Sequence, residues 1–136
     1  DNGRAAETFE RMVAALGGPR DLMEHPDKHL PRAPLVRPVA ASRAGTVQAI
    51  DTRAIGMTVV VLGGGRTRSA DAVDHAVGLT GLVALGDAVE AGQPLALIHG
   101  RDQAAIASAA AMIERAVSLG EGGAAVGALV QARIAG

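Results

Sequence analysis

The chain has 136 residues, with 13 Lys and Arg against 14 Asp and Glu, a formal net charge of −1, no cysteine and a single aromatic residue, Phe9. That length fits one domain, or one domain with an appendage, and lets roughly two thirds of the unfolded surface be buried. The near-neutral charge and the missing stacking platform exclude the usual nucleic-acid binders, and the missing thiols exclude disulfides, thiolate metal sites and a cysteine nucleophile.

In chain order, residues 3–16 read as a helix, with Ala6, Phe9, Val13 and Leu16 on one face, Asn2 as cap and Gly17-Gly18-Pro19 as stop. This start is polar and acidic, unlike a signal peptide, and lacks an initiating Met. A helical turn is expected at 21–23. "EHPDKHLPRAP" then carries prolines at 26, 31 and 34 and reads as an extended connector, with a domain boundary near residue 30. An amphipathic helix with a linker behind it points to further chain upstream.

"LVRPVAAS" and "GTVQAID" read as two short strands separated by a turn at Arg43-Ala44-Gly45, and Pro38 confines the first to an edge or an irregular strand. The next segment, "RAIGMTVVVLGGGRTRSADAVD", is ambiguous. By β-propensity "TVVVL" is a strand. By context it is a helix over 52–62: Asp51 or Thr52 is a good N-cap, Ile55, Val59 and Leu62 share a face, and Gly63-Gly64 stop it. Further on, Gly86-Asp87 and Gly92-Gln93-Pro94 mark turns, and 95–99 is a strand. Asp102 caps a helix expected to run through Leu119, burying Ile106, Ala110, Ile113 and Val117 and ending at Gly120. "GEGGAAVG" reads as a flexible link to a last strand over 129–134. No apolar run approaches the roughly 20 residues that span a bilayer.

Several groups invite a chemical reading. The triple glycine with Arg66 invites comparison with a phosphate cradle, but a P-loop precedes its helix and needs a Lys-Ser/Thr pair, whereas these glycines follow an apolar segment. Glu24, His25, Asp27 and His29 are ligand types, yet Pro26 breaks the regular helix that would align the two histidines. His75 and His99 have no serine-and-acid constellation nearby. Asp71 and Asp74 are either a carboxylate pair or, more simply, turn-forming acids. "GDAVEAG" is similar to a pattern of biotinyl and lipoyl carriers, but the only lysine is Lys28, in the proline-rich stretch. No metal site and no cofactor is expected.

Taken together, "RAAETFERMVAALGGP" at 4–19, "LPRA" at 30–33, "IDTRAIGMTVVVLGGGRTR" at 50–68, "DAVDHAVGL" at 71–79 and "GDAVEAGQPLALIH" at 86–99 closely resemble the C-terminal region of thymidine and pyrimidine-nucleoside phosphorylases. The order and spacing carry the resemblance, which extends to about residue 119 and is looser in the last fifteen residues. It implies an α+β fold: an alpha/beta-hammerhead, barrel-sandwich-related, over 31–136, preceded over 1–30 by the helical tail of an upstream α/β domain and a linker. It favours the helical reading of 52–62. It implies a parent enzyme, cytoplasmic and homodimeric through its upstream domains, that uses phosphate and a pyrimidine nucleoside. Nucleic acid and membrane are not expected as partners. The family's phosphate- and base-binding motifs lie upstream and match no position here, so no catalytic or substrate-binding residue is assigned. What remains as a candidate is the segment with Gly65, Arg66, Arg68, Asp71 and Asp74, expected as a mobile loop facing the interdomain cleft. The competing reading is a free-standing hammerhead interaction module.

Overall fold

The computed structural model describes residues 3–123 and residue 132. The expected cap at Asn2 and, apart from residue 132, the expected last strand over 129–134 lie outside the described residues. The chain divides into two compact units at Arg32/Ala33.

The first unit holds α1 (Arg4–Ala15) and α2 (Pro26–His29). Gly3 stands at the N-cap position of α1 with no side-chain bond. The helix ends in a Schellman motif: Gly17 N–H donates to Ala14 C=O at 3.1 Å and Gly18 N–H to Val13 C=O at 2.9 Å. The expected apolar face is real in pattern, but no residue of α1 is buried; Phe9 is 39% and Leu16 80% exposed. The proline-rich stretch is not wholly extended. Pro26 opens the four-residue α2, because a proline at the first helical position gives up only an N–H that would be unpaired anyway.

The second unit is a small α+β domain with two antiparallel sheets. β1 (Leu35–Ala40), β5 (Pro94–Gly100) and β3 (Gly78–Thr80) form one, in the order β1-β5-β3. β4 (Ala88–Val89), β2 (Gly45–Ile50) and β6 (Val117–Gly120) form the other, in the order β4-β2-β6. The two runs on either side of Arg43 therefore belong to different sheets. Pro38 lies on β1, an edge strand, where a residue without an N–H is tolerated; a register shift follows between Val39 and Ala40.

Each glycine turn prolongs the ladder of one sheet, β2–β4 at Gly86 and β1–β5 at Gly92. Gly86 N–H donates to Val47 C=O at 2.9 Å and Val47 N–H to Asp87 C=O at 2.9 Å; Gly92 N–H donates to Ala41 C=O and Ala41 N–H to Gln93 C=O, each at 2.8 Å. α3 (Thr52–Val61) follows β2, and α4 (Gln103–Ala116) follows β5. The core lies where α4 packs on β5 and α3, and Val39, Val47, Ala96, Ile98, Ala109 and Ile113 are each at most 2% exposed.

α4 stops at Ala116, three residues before the expected end. Val117, Ser118, Leu119 and Gly120 instead pair with Ile50, Ala49, Val47 and Thr46 of β2. Val117 is buried either way, so the helical pattern runs on through a residue that has already turned into a strand. Among the described residues, no helix is long and apolar enough to cross a membrane.

Candidate functional site

The ambiguous segment is a helix, and local chemistry decides it. The Asp51 carboxylate accepts Ala54 N–H at 2.9 Å, closing the N-terminus of α3. At the other end Gly63, at φ 95°, donates to Val60 C=O, and Gly64 to Val59 C=O, both at 2.9 Å. This Schellman cap also disposes of the phosphate cradle. The two glycine amides that would point at a ligand are turned back onto the carbonyls of α3.

From Gly63 the chain makes an Ω-type loop whose ends meet: Asp74 N–H donates to Gly63 C=O at 2.9 Å. Two aspartates hold it. Asp71 folds the tip. Its Oδ2 accepts Thr67 Oγ1–H at 2.6 Å, Arg68 N–H at 2.8 Å and Thr67 N–H at 3.1 Å, and its Oδ1 accepts Arg68 Nε–H at 3.3 Å. The Thr67 hydroxyl, then the Arg68 amide, hold this carboxyl below the usual aspartate range. Asp74 ties the loop's exit. Its Oδ1 accepts Ala76 N–H at 3.0 Å, and both oxygens face the Arg101 guanidinium, with Nη2 to Oδ1 at 3.2 Å and Nε against Oδ2. That guanidinium lowers the Asp74 pKa, and the carboxylate raises that of Arg101.

The two aspartates are thus loop-forming acids, each with its own donors, and not a carboxylate pair. Gly65 lies over the last turn of α3, where an added Cβ would meet Val60 Cγ2 at 2.7 Å. Arg66 is exposed and makes no hydrogen bond or ion pair among the described residues. Arg68 is committed to Asp71. The residue missed by sequence reasoning is Arg101, which sits 27 positions from its partner and carries no spacing signal.

The histidines fall elsewhere. His99 Nε2 lies 2.8 Å from Thr80 Oγ1, and His75 is exposed. In the first unit His29 pairs with Asp21 at 2.7 Å, lowering the pKa of that acid, and Asp27 pairs with Arg32. Two surface hollows of about 290 and 280 Å³ are lined by residues outside the loop.

The sequence signature of the family described as "Pyrimidine nucleoside phosphorylase C-terminal domain" matches residues 46–120. The chain belongs to this family. The match begins in β2, ends with β6, and includes the whole glycine-rich loop. Among curated relatives, a thymidine phosphorylase of Burkholderia lata is 57% identical over 123 residues, covering 90% of this chain and 28% of the relative. A thymidine phosphorylase of Burkholderia cenocepacia is 53% identical over 131 residues, covering 96% of this chain and 30% of the relative. The chain thus spans less than a third of the length of these curated phosphorylases.

Proposed function

We propose that this chain is the C-terminal part of a thymidine or pyrimidine-nucleoside phosphorylase. In the parent protein an oxygen of inorganic phosphate attacks the anomeric carbon of a pyrimidine (deoxy)nucleoside. The C–N glycosidic bond breaks, its electron pair leaves with the base, and the products are free base and (deoxy)ribose 1-phosphate. The observation that carries the reading is the 57% identity to a thymidine phosphorylase, confined to 28% of that relative.

The finer parts of the proposal rest on the resemblance. Residues 31–136 form a hammerhead-type domain, and residues 1–30 are the helical tail of the domain before it. The parent protein is a cytoplasmic homodimer assembled mainly through those upstream domains. This domain supplies no catalytic residue; its role is structural, with a part in domain closure. The Gly65–Asp74 loop faces the cleft, where the exposed Arg66 meets the closing domain or phosphate. Glycines at the loop's entry lower the cost of the movement, as gating loops need.

The experiment uses the parent protein and the isolated chain side by side. The parent protein is expected to release thymine from thymidine only when phosphate is present, and the isolated 136-residue chain to release none above a buffer control. Replacing Arg66 and Arg68 together by Ala in the parent protein is expected to lower kcat/KM with little change in Tm. Base release by the isolated chain refutes the assignment of chemistry to the upstream domains. Unchanged kinetics in the double variant reduce the loop to a connector.

A further inference from the structure

The bonds around Asp71 are internal to the loop: they fold Thr67 and Arg68 onto one carboxylate and tie nothing to the rest of the domain. Among the described residues, the side-chain hydrogen bonds from the loop to the domain body are those of the Asp74 carboxylate, gripped at two points by Arg101. Arg101 has a firm mounting. On one side Gly100 closes β5, so tightly packed that an added Cβ would meet Ile106 Cγ1 at 2.7 Å. On the other side Asp102 caps α4 by accepting Ala105 N–H at 2.8 Å. A planar guanidinium on a fixed stem, held bidentate, sets orientation as well as distance.

We propose that Arg101 is a positioning residue: its clasp on Asp74 fixes the loop, and with it the exposed Arg66, in one orientation relative to the β5–α4 junction. When the clasp opens, the loop's exit from Asp74 to Val77 loosens and the loop shifts with its tip still closed on Asp71. The effect on catalysis rests on the phosphorolase reading above. The holding of the loop does not.

The test uses the parent protein carrying Arg101→Gln, Asp74→Asn, both together, or Arg101→Lys. Amide hydrogen exchange followed by mass spectrometry reads the clasp directly. With Arg101→Gln, peptides covering Asp74 to Val77 are expected to exchange at least tenfold faster, while those covering Thr67 and Arg68 hold their protection. In phosphorolysis, a loop that spends less time in its working orientation weakens apparent binding by that fraction. KM is therefore expected to rise about three- to tenfold, with kcat within twofold and Tm within about 2 °C of the unmodified protein. The double variant is expected to be no worse than the worse single one, because both changes open the same clasp. Lys at position 101, one charge in place of a two-point grip, is expected to recover part of the KM.

Unchanged exchange over 74–77 overturns the clasp. A joint fall of kcat and Tm assigns Arg101 to plain structural support and overturns the positioning role, as does Lys behaving no better than Gln. If the unmodified parent protein fails to phosphorolyse pyrimidine nucleosides, the functional reading fails, and the exchange arm still decides the clasp.

Discussion

Gly63 and Gly64 stand side by side, yet replacing them is expected to destabilise the domain for different reasons. Gly63 sits at φ 95° with nothing within 4 Å of a would-be Cβ. Gly63→Ala therefore costs backbone strain alone, about 1–2 kcal/mol. Gly64 needs no left-handed backbone, but its added Cβ would lie 2.8 Å from Val59 Cγ1 and 3.3 Å from Val77 Cγ2. Val59 is β-branched and helical, so its γ-carbons cannot swing aside freely, and Gly64→Ala costs about 1–3 kcal/mol by overpacking. A double-mutant cycle with Val59→Ala separates the two. Removing Cγ1 relieves the clash at 64 and leaves the backbone strain at 63 untouched. Urea unfolding of the 136-residue chain is expected to give a coupling energy of about 1 kcal/mol or more for the 64/59 pair. For 63/59 the coupling is expected to stay within about 0.5 kcal/mol. Gly63→Ala without loss of stability, or coupling at 63 in place of 64, would falsify the cap geometry.

Two other perturbations follow from named bonds. Asp51→Ala and Asp102→Ala each delete a helix N-cap and are expected to cost about 1 kcal/mol, while the Asn variants, equal as caps, cost a few tenths; equal losses for Ala and Asn in thermal melts refute the capping role. Asp21, Asp71 and Asp74 all have folded pKa values below the ordinary 3.8, through His29, Thr67 and Arg101 respectively. Their ionised forms are favoured by the fold, so their stabilisation is complete above the unfolded pKa and is lost as pH falls through the lower folded values. The Asp71→Asn, Asp74→Asn double variant is therefore expected to show a shallower loss of stability below about pH 4; an acid limb as steep as that of the parent chain sinks the idea.

What the sequence made legible was local. The helix over 52–61 could be read against its β-branched run because Asp51 and Gly63-Gly64 are capping chemistry a few residues from what they cap. Pro38 marked its own strand as an edge for the same reason. The misreadings share the opposite property. Val117 satisfies a helix face and a strand face alike, and only pairing with Ile50, far away in sequence, makes it a strand. In the first unit the amphipathic pattern of α1 says that the helix needs a partner, but it does not say where one lies, and Leu16 is 80% exposed. The candidate loop divides the same way: Asp71 acts on residues three and four before it, whereas Asp74 reaches Arg101, which no spacing rule connects.

The described aspartates of the second unit argue about chemistry through what they hold. Asp51, Asp71, Asp74, Asp87 and Asp102 each accept a backbone N–H within a few residues, at distances of 2.7 to 3.1 Å. A general acid needs a carboxyl whose pKa is raised toward the working pH, usually by burial or a neighbouring like charge. Wherever a shift is resolved among these five, it is downward, caused by hydrogen bonds that favour the anion. Asp71 and Asp74 are therefore weak bases, and by their hydrogen bonds all five acids serve as anchors for turns and helix ends. Among the described residues, the charged loop side chain without a hydrogen bond or ion pair is a cation, Arg66, carried on a segment whose acids are occupied in shaping it. On the reading proposed above, that division of labour suits a supporting domain: fixed acids set the loop, and Arg66 leaves a positive charge at its surface.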